Sequence, residues 1–149
     1  MSNHVPKLEP SGAIALIEAH DGRVSSVVIS TTESSRIEFD HLAVYHQCGP
    51  EEFKVWSYRA VLEANGVHRV IVEGEAEATD YIDEGVVLFG EEQVDWKALL
   101  DSRPVTHIKL VFGSGRTIDM DCHEAQLRLT DANKALEDWI GPLYSSPST

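Results

Sequence analysis

Glu73, Glu75 and Glu77 occupy alternate positions, and Asp80, Asp83 and Glu84 follow closely. In an extended strand alternate side chains share one face, so the three glutamates would form a row. Upstream, Asn65-Gly66 separates two apolar-rich runs, the pattern of a type I′ hairpin turn. That turn would set Tyr58 opposite Glu73 and Trp56 opposite Glu75. Aromatic rings beside carboxylates suit a cation or a basic side chain. Two such carboxylates could also exchange protons, but no nucleophile accompanies them, and no catalytic residue is expected. The alternative is a solvent-facing sheet on which Lys54 and Arg69 balance the glutamates.

A second set comprises His41, His46, Cys48 and the adjacent pair Cys122-His123. Zinc takes four N or S ligands, and His46 with Cys48 would share a strand face. Neither a C-x-x-C nor an H-E-x-x-H spacing is present, so His46, Cys48, Cys122 and His123 are weak metal candidates. The competing reading makes the cysteines small buried hydrophobes and the histidines surface or hydrogen-bonded groups. A Cys–His nucleophilic pair is a third option. No cofactor motif occurs: Gly113-Ser114-Gly115-Arg116 looks like a phosphate loop but belongs to a hairpin, and a nucleophile elbow is absent.

Charge narrows the function classes. Twelve Lys and Arg against 25 Asp and Glu give −13 over 149 residues. From Glu73 to Asp101 there are ten acidic residues and one basic one, Lys97. Such a field repels nucleic acid and anionic membranes and draws basic partners inward. It also keeps a protein soluble without binding anything. Two cysteines, no secretory leader and no run of about 20 apolar residues point to a cytoplasmic protein with reduced thiols.

The elements that must position these groups are mostly strands. A hairpin around Asp21-Gly22 would join Ala13–His20 to Arg23–Thr31. Arg36 to Gln47 reads as a strand with a bulge near Asp40-His41, because Ile37 and Phe39 have opposite parity to Leu42 and Val44; Gly49-Pro50 ends it. Val86 to Phe89 forms a short strand. Glu91 to Asp101 predicts a helix packed through Val94, Ala98, Leu99 and Trp96. Val105 to Asp121 predicts a hairpin with a three-residue loop at 113–115. That loop pairs Leu110 with Ile118 and Ile108 with Met120, and sets Lys109 against Asp119 and His107 against Asp121. A two-residue loop would instead bury aspartates against leucine and isoleucine. Ala125 to Leu129 is a strand, and a last helix runs from Thr130 or Asp131 to Ile140, stopped by Gly141-Pro142. RIEFDHLAVYHQ (36–47) and TIDMDCHEAQLRL (117–129) share a pattern that a duplicated sheet unit would produce.

The expectation is one domain of the α+β class, mainly antiparallel β: a hairpin-built curled sheet, sandwich or partly open barrel with two short helices. Residues 1–12 form a loose arm, 13–141 the core and 144–149 a disordered tail. The leading functional expectation is a non-enzymatic protein of inhibitor, immunity or anti-defence type, engaging a basic protein through an acidic face at residues 73–101, with no nucleic acid or membrane partner. The alternative is a small-ligand protein or enzyme with a pocket at the mouth of the sheet, lined by Trp56, Tyr58, His46 and Cys48. A third reading is a homo-oligomer whose two-sided apolar hairpins continue a sheet across subunits.

Overall fold

Leu110 stands opposite Ile118, Ile108 opposite Met120, Lys109 opposite Asp119 and His107 opposite Asp121, the pairing that buries apolar side chains together and leaves charges together. Gly115 takes the left-handed position in the loop, with φ +94°. This hairpin, β8 (His107–Phe112) and β9 (Thr117–Asp121), is the centre of one of two sheets in a computed structural model that describes residues 10–75 and 80–143, with only the backbone at Glu137.

The remaining strands are β1 (Ile14–Val28), β2 (Ser35–Gly49), β3 (Glu52–Asn65), β4 (Arg69–Glu73), β5 (Ile82–Phe89), β6 (Glu92–Gln93), β7 (Arg103–Pro104) and β10 (Glu124–Ile140). All pairings are antiparallel. The sheets have the orders β1-β2-β3-β10-β7 and β4-β9-β8-β5-β6, and neither closes on itself. Their inner faces share one core, with Phe39, Leu42, Leu62 and Leu127 from the first meeting Ile82, Leu110, Ile118 and Met120 from the second. Among the described residues no helix is long and apolar enough to cross a membrane.

The expected bulge in β2 is present: Phe39 pairs with Ala60 and Leu42 with Tyr58, so Asp40 and His41 together face a single residue of β3. Ile37, Phe39, Leu42 and Val44 consequently all reach the core, at 2% exposure or less. Beyond Gly49-Pro50 the chain makes a tight turn into β3, with Glu51 at φ +55°. β5 begins at Ile82 and is longer than Val86 to Phe89.

Three expectations are corrected. Asp21-Gly22 does not open a hairpin. β1 stays on β2 on both sides of it, Glu18 opposite Ala43 and Arg23 opposite His41, and the extra residues bulge out with Asp21 at φ +65°. Asn65-Gly66 does not close a hairpin either. β3 already has β2 on one edge and β10 on the other, so the chain crosses to the second sheet and β4 pairs with β9. Gly66 has φ +69°, and its missing Cβ leaves room for the His123 ring. The chain returns beside this crossing at Cys122-His123, where His123 N–H donates to the Asn65 carbonyl at 2.9 Å. The break in the 117–129 segment is therefore a corner between sheets, unlike the in-strand bulge at 40–41.

Neither helix forms as expected. Residues 91–101 contribute β6 and a 3₁₀ turn at Trp96–Leu100 that buries Trp96 and Leu99. The 130–140 segment is the second half of β10. Its helix-like spacing of apolar residues is absorbed by register shifts at Leu129/Asp131, Ala132/Lys134 and Ala135/Asp138. The unpaired edge of β3 dictates this outcome, because hydrogen bonding a long strand outweighs weak local helix preference. Residues 1–9 of the expected arm and the 144–149 tail lie outside the described residues.

Candidate functional site

β1 is the outermost strand of its sheet, and β6 covers β5 only at Leu88 and Phe89. The exposed edges of β1 and β5 therefore face each other across the gap between sheets. Gly85 lets them approach. A Cβ there would lie 2.8 Å from the Ala19 Cβ and 3.1 Å from the Trp96 ring. Trp96 sits in the gap edge-on to Phe39, centroids 5.9 Å apart, and its Nε1–H donates to the Gly85 carbonyl at 3.2 Å. On the outside His20 Nδ1 donates to the Asp83 carbonyl at 2.8 Å. That bond is the largest reason the His20 pKa is raised; burial opposes it, and Asp21, Asp83 and Glu18 add to the rise.

Along this seam runs a groove of about 780 Å³. Glu18, Asp83, Glu84 and Asp95 line it against a single lysine, Lys97, and His20. Tyr45, Trp96 and Trp139 supply aromatic surface. Carboxylates around aromatic rings in a concave site attract a cation and give its apolar stem a surface to lie on.

Asp83 and Glu84 thus lie where carboxylates and aromatic rings meet, but the rings are not those the sequence pointed to. Trp56 is buried at 4% exposure, between Val44 and Ala135 in its sheet. Tyr58 lies on the same strand, its hydroxyl 2.8 Å from His46 Nε2. Neither stands beside Glu73 or Glu75, which belong to the end of β4 in the other sheet and the residues after it, because the hairpin that would have joined them is absent. Glu77 lies outside the described residues. Asp80 is committed internally: its carboxylate accepts from Ser114 N–H at 3.1 Å and Ser114 Oγ–H at 2.6 Å, fixing the β8–β9 loop. The acidic stretch of residues 73–101 is therefore divided between the β4 edge, a turn and the groove.

The metal candidates are also dispersed. His46 is buried, donating from Nδ1 to the Gly12 carbonyl at 2.9 Å and accepting from Tyr58. Cys48 is exposed on the same strand. Cys122 is buried in the core, and burial first, with Asp121 second, pushes its thiol up to about 11. It is a small hydrophobe, far from a reactive thiolate. His123 stacks on His68 with centroids 4.9 Å apart. Among the described residues these groups do not gather into a metal-ligating set of three.

Two constellations went unread in the sequence as sites. His41 Nδ1 and Ser57 Oγ are 2.5 Å apart, brought together by the β2 bulge. Burial first, then Arg23, lowers the His41 pKa. Ser57 is only 7% exposed, so the pair ties β2 to β3 and lacks the access of a nucleophile. On the outer face of the second sheet, His107 lies 2.8 Å from Asp121 Oδ1 and 3.2 Å from Asp119 Oδ1, while Arg69 Nη1 reaches both carboxylates at 3.4–3.6 Å. His107, Asp119 and Asp121 could converge on an ion, their ligand atoms lying within 4.8 Å of one another. The Arg69 guanidinium lies beside both aspartates and His107 hydrogen-bonds Asp121, so the ladder works as a cross-strand polar network.

No protein-family model matches the chain, and no curated relative or solved structure is similar to it.

Proposed function

We propose that this is a non-enzymatic, cytoplasmic binding protein that captures a basic protein segment in the groove between β1 and β5. One observation carries the reading: four carboxylates and three aromatic side chains share a concave surface that holds one lysine. An incoming Arg or Lys exchanges water for a carboxylate while its stem lies on Trp96, Trp139 or Tyr45. The overall charge of −13 steers such a segment toward the molecule before contact. The groove volume also suits a small organic cation, since such sites span about 300–1,000 Å³.

The test is titration with an oligoarginine peptide and, separately, with a tetraalkylammonium ion, followed by tryptophan fluorescence at low and high salt. Peptide binding that weakens with salt, and weakens again in Glu18→Gln/Glu84→Gln/Asp95→Asn, supports the proposal. Affinity for the peptide that ignores both changes would refute it. Saturable binding of the small cation alone favours the small-ligand reading.

A further inference from the structure

The two sheets have four outer edges, and three are blunted. β1 is interrupted by the bulge at Asp21-Gly22. β6 and β7 are two residues each, one carrying Glu92 and the other Pro104, and the stretch of β10 that β7 leaves uncovered after Ala125 is broken by three register shifts. Short strands, bulges, prolines and charges are the usual defences against another strand adding to a sheet. β4 has neither a bulge nor a proline, and its two charges, Arg69 and Glu73, stand at its ends and leave three apolar residues between them. Its five residues, Arg69-Val70-Ile71-Val72-Glu73, pair with β9 in unbroken register and have no neighbour on the other side among the described residues. Ile71 is 38% exposed and Val72 is 49% exposed, high values for β-branched apolar side chains.

The sequence of this edge is complementary to itself. Turned antiparallel about Ile71, a second β4 sets Ile71 against Ile71, Val70 against Val72 and Arg69 against Glu73. Every apolar residue meets an apolar one and each charge meets its opposite. On the outer face Asp119 and Asp121 engage Arg69 through Nη1, and a guanidinium has further N–H donors for a glutamate across the axis. Glu73 has no ion pair among the described residues.

We propose that two copies of this chain associate edge to edge through β4, joining their second sheets into one continuous sheet about a two-fold axis at Ile71. Such an interface is isologous, so it closes at the dimer and does not grow into a fibre. Five residues a side make a small contact, and the dimer is a reversible one. In the second sheet β9 and β8 separate β4 from β5, so each subunit keeps its groove open. The proposal does not depend on what the groove binds.

Sedimentation equilibrium of the full chain, from micromolar concentration to about 1 mM, tests it at the weak end of the affinity scale. A concentration-dependent monomer–dimer equilibrium is expected. Glu73→Arg leaves the aspartate network intact but sets arginine against arginine, and should weaken the dimer at least about tenfold. On a Cys48→Ser background, Ile71→Cys should give a disulfide-linked dimer under mild oxidation, because the axis brings the two thiols together. Val28→Cys, on the other sheet, should not. A wild-type chain that stays at 16.5 kDa throughout overturns the proposal. So does a dimer that neither Glu73→Arg weakens nor Ile71→Cys crosslinks.

Discussion

Two regions of the molecule, the groove and β4, leave strand edges unpaired and treat them in opposite ways. At the groove, β1 and β5 turn unpaired edges toward each other, yet no ladder forms: β1 is bulged, Trp96 fills the gap, and carboxylates crowd the rim. At β4 the edge is regular, apolar and self-complementary. The first arrangement keeps a strand out and leaves a concave surface rimmed by carboxylates. The second admits a strand. A sheet edge is thus defined less by its unpaired backbone groups than by the side chains and irregularities that guard them.

The largest effect expected from breaking this contrast is at Trp96. It is 7% exposed, and Trp96→Ala should cost about 3–5 kcal/mol in urea unfolding, because the cavity opens both sheets at the seam. Groove binding should be lost with it. Gly85→Val tests the same seam from the other strand. Its new side chain overlaps Ala19 and Trp96, so about 1–3 kcal/mol should be lost although valine favours strands. A Gly85→Val protein as stable as wild type would mean that the edges do not approach as described.

The pH dependence separates the two regions further. The His20 pKa is raised, so its contribution is present below its unfolded value of 6.5 and disappears as pH rises through the folded value. His20→Gln should remove that loss of stability on the alkaline side. Toward the β4 side, Asp121 is held low, chiefly by its hydrogen bond from His107 and also by Arg69. Its contribution is present above its unfolded value of 3.8 and is lost as pH falls through the folded value. Asp121→Asn should flatten the acid limb of a stability–pH curve and leave the neutral range unchanged in shape. His41 runs opposite to His20. Its pKa is lowered, mainly by burial, so stability should fall as pH drops below 6.5, and His41→Gln should abolish that fall.

The smallest effect belongs to the β4 surface itself. Ile71→Thr keeps a β-branched side chain at an exposed position and should change monomer stability by no more than about 0.5 kcal/mol. A much larger loss would mean that Ile71 packs within the subunit, and the edge would cease to resemble a docking surface.

What could be read from residues alone was whatever depends on neighbours along one strand or across one tight loop. The β8–β9 register follows from the requirement that Leu110 and Ile108 not face aspartates, and the Asp40-His41 bulge follows from a parity change in apolar residues. Both are local constraints with one low-energy solution. Of the groove, the acidic stretch of residues 73–101 contains Asp83, Glu84 and Asp95, but Glu18, Tyr45 and Trp139 come from distant segments, and nothing along the chain brings them or Trp96 to those carboxylates.

The sequence by itself determined an acidic, strand-rich chain, one hairpin register and one bulge, because side-chain alternation and charge are properties of consecutive residues. Only the tertiary structure decided what Asn65-Gly66, Asp21-Gly22 and residues 130–140 would become. Each carries a genuine local preference for a turn or a helix, but β2 and β10 occupy both edges of β3, and β2 stays paired to β1 across its bulge. Many hydrogen bonds between segments far apart in sequence outweigh the fraction of a kcal/mol that a local propensity supplies.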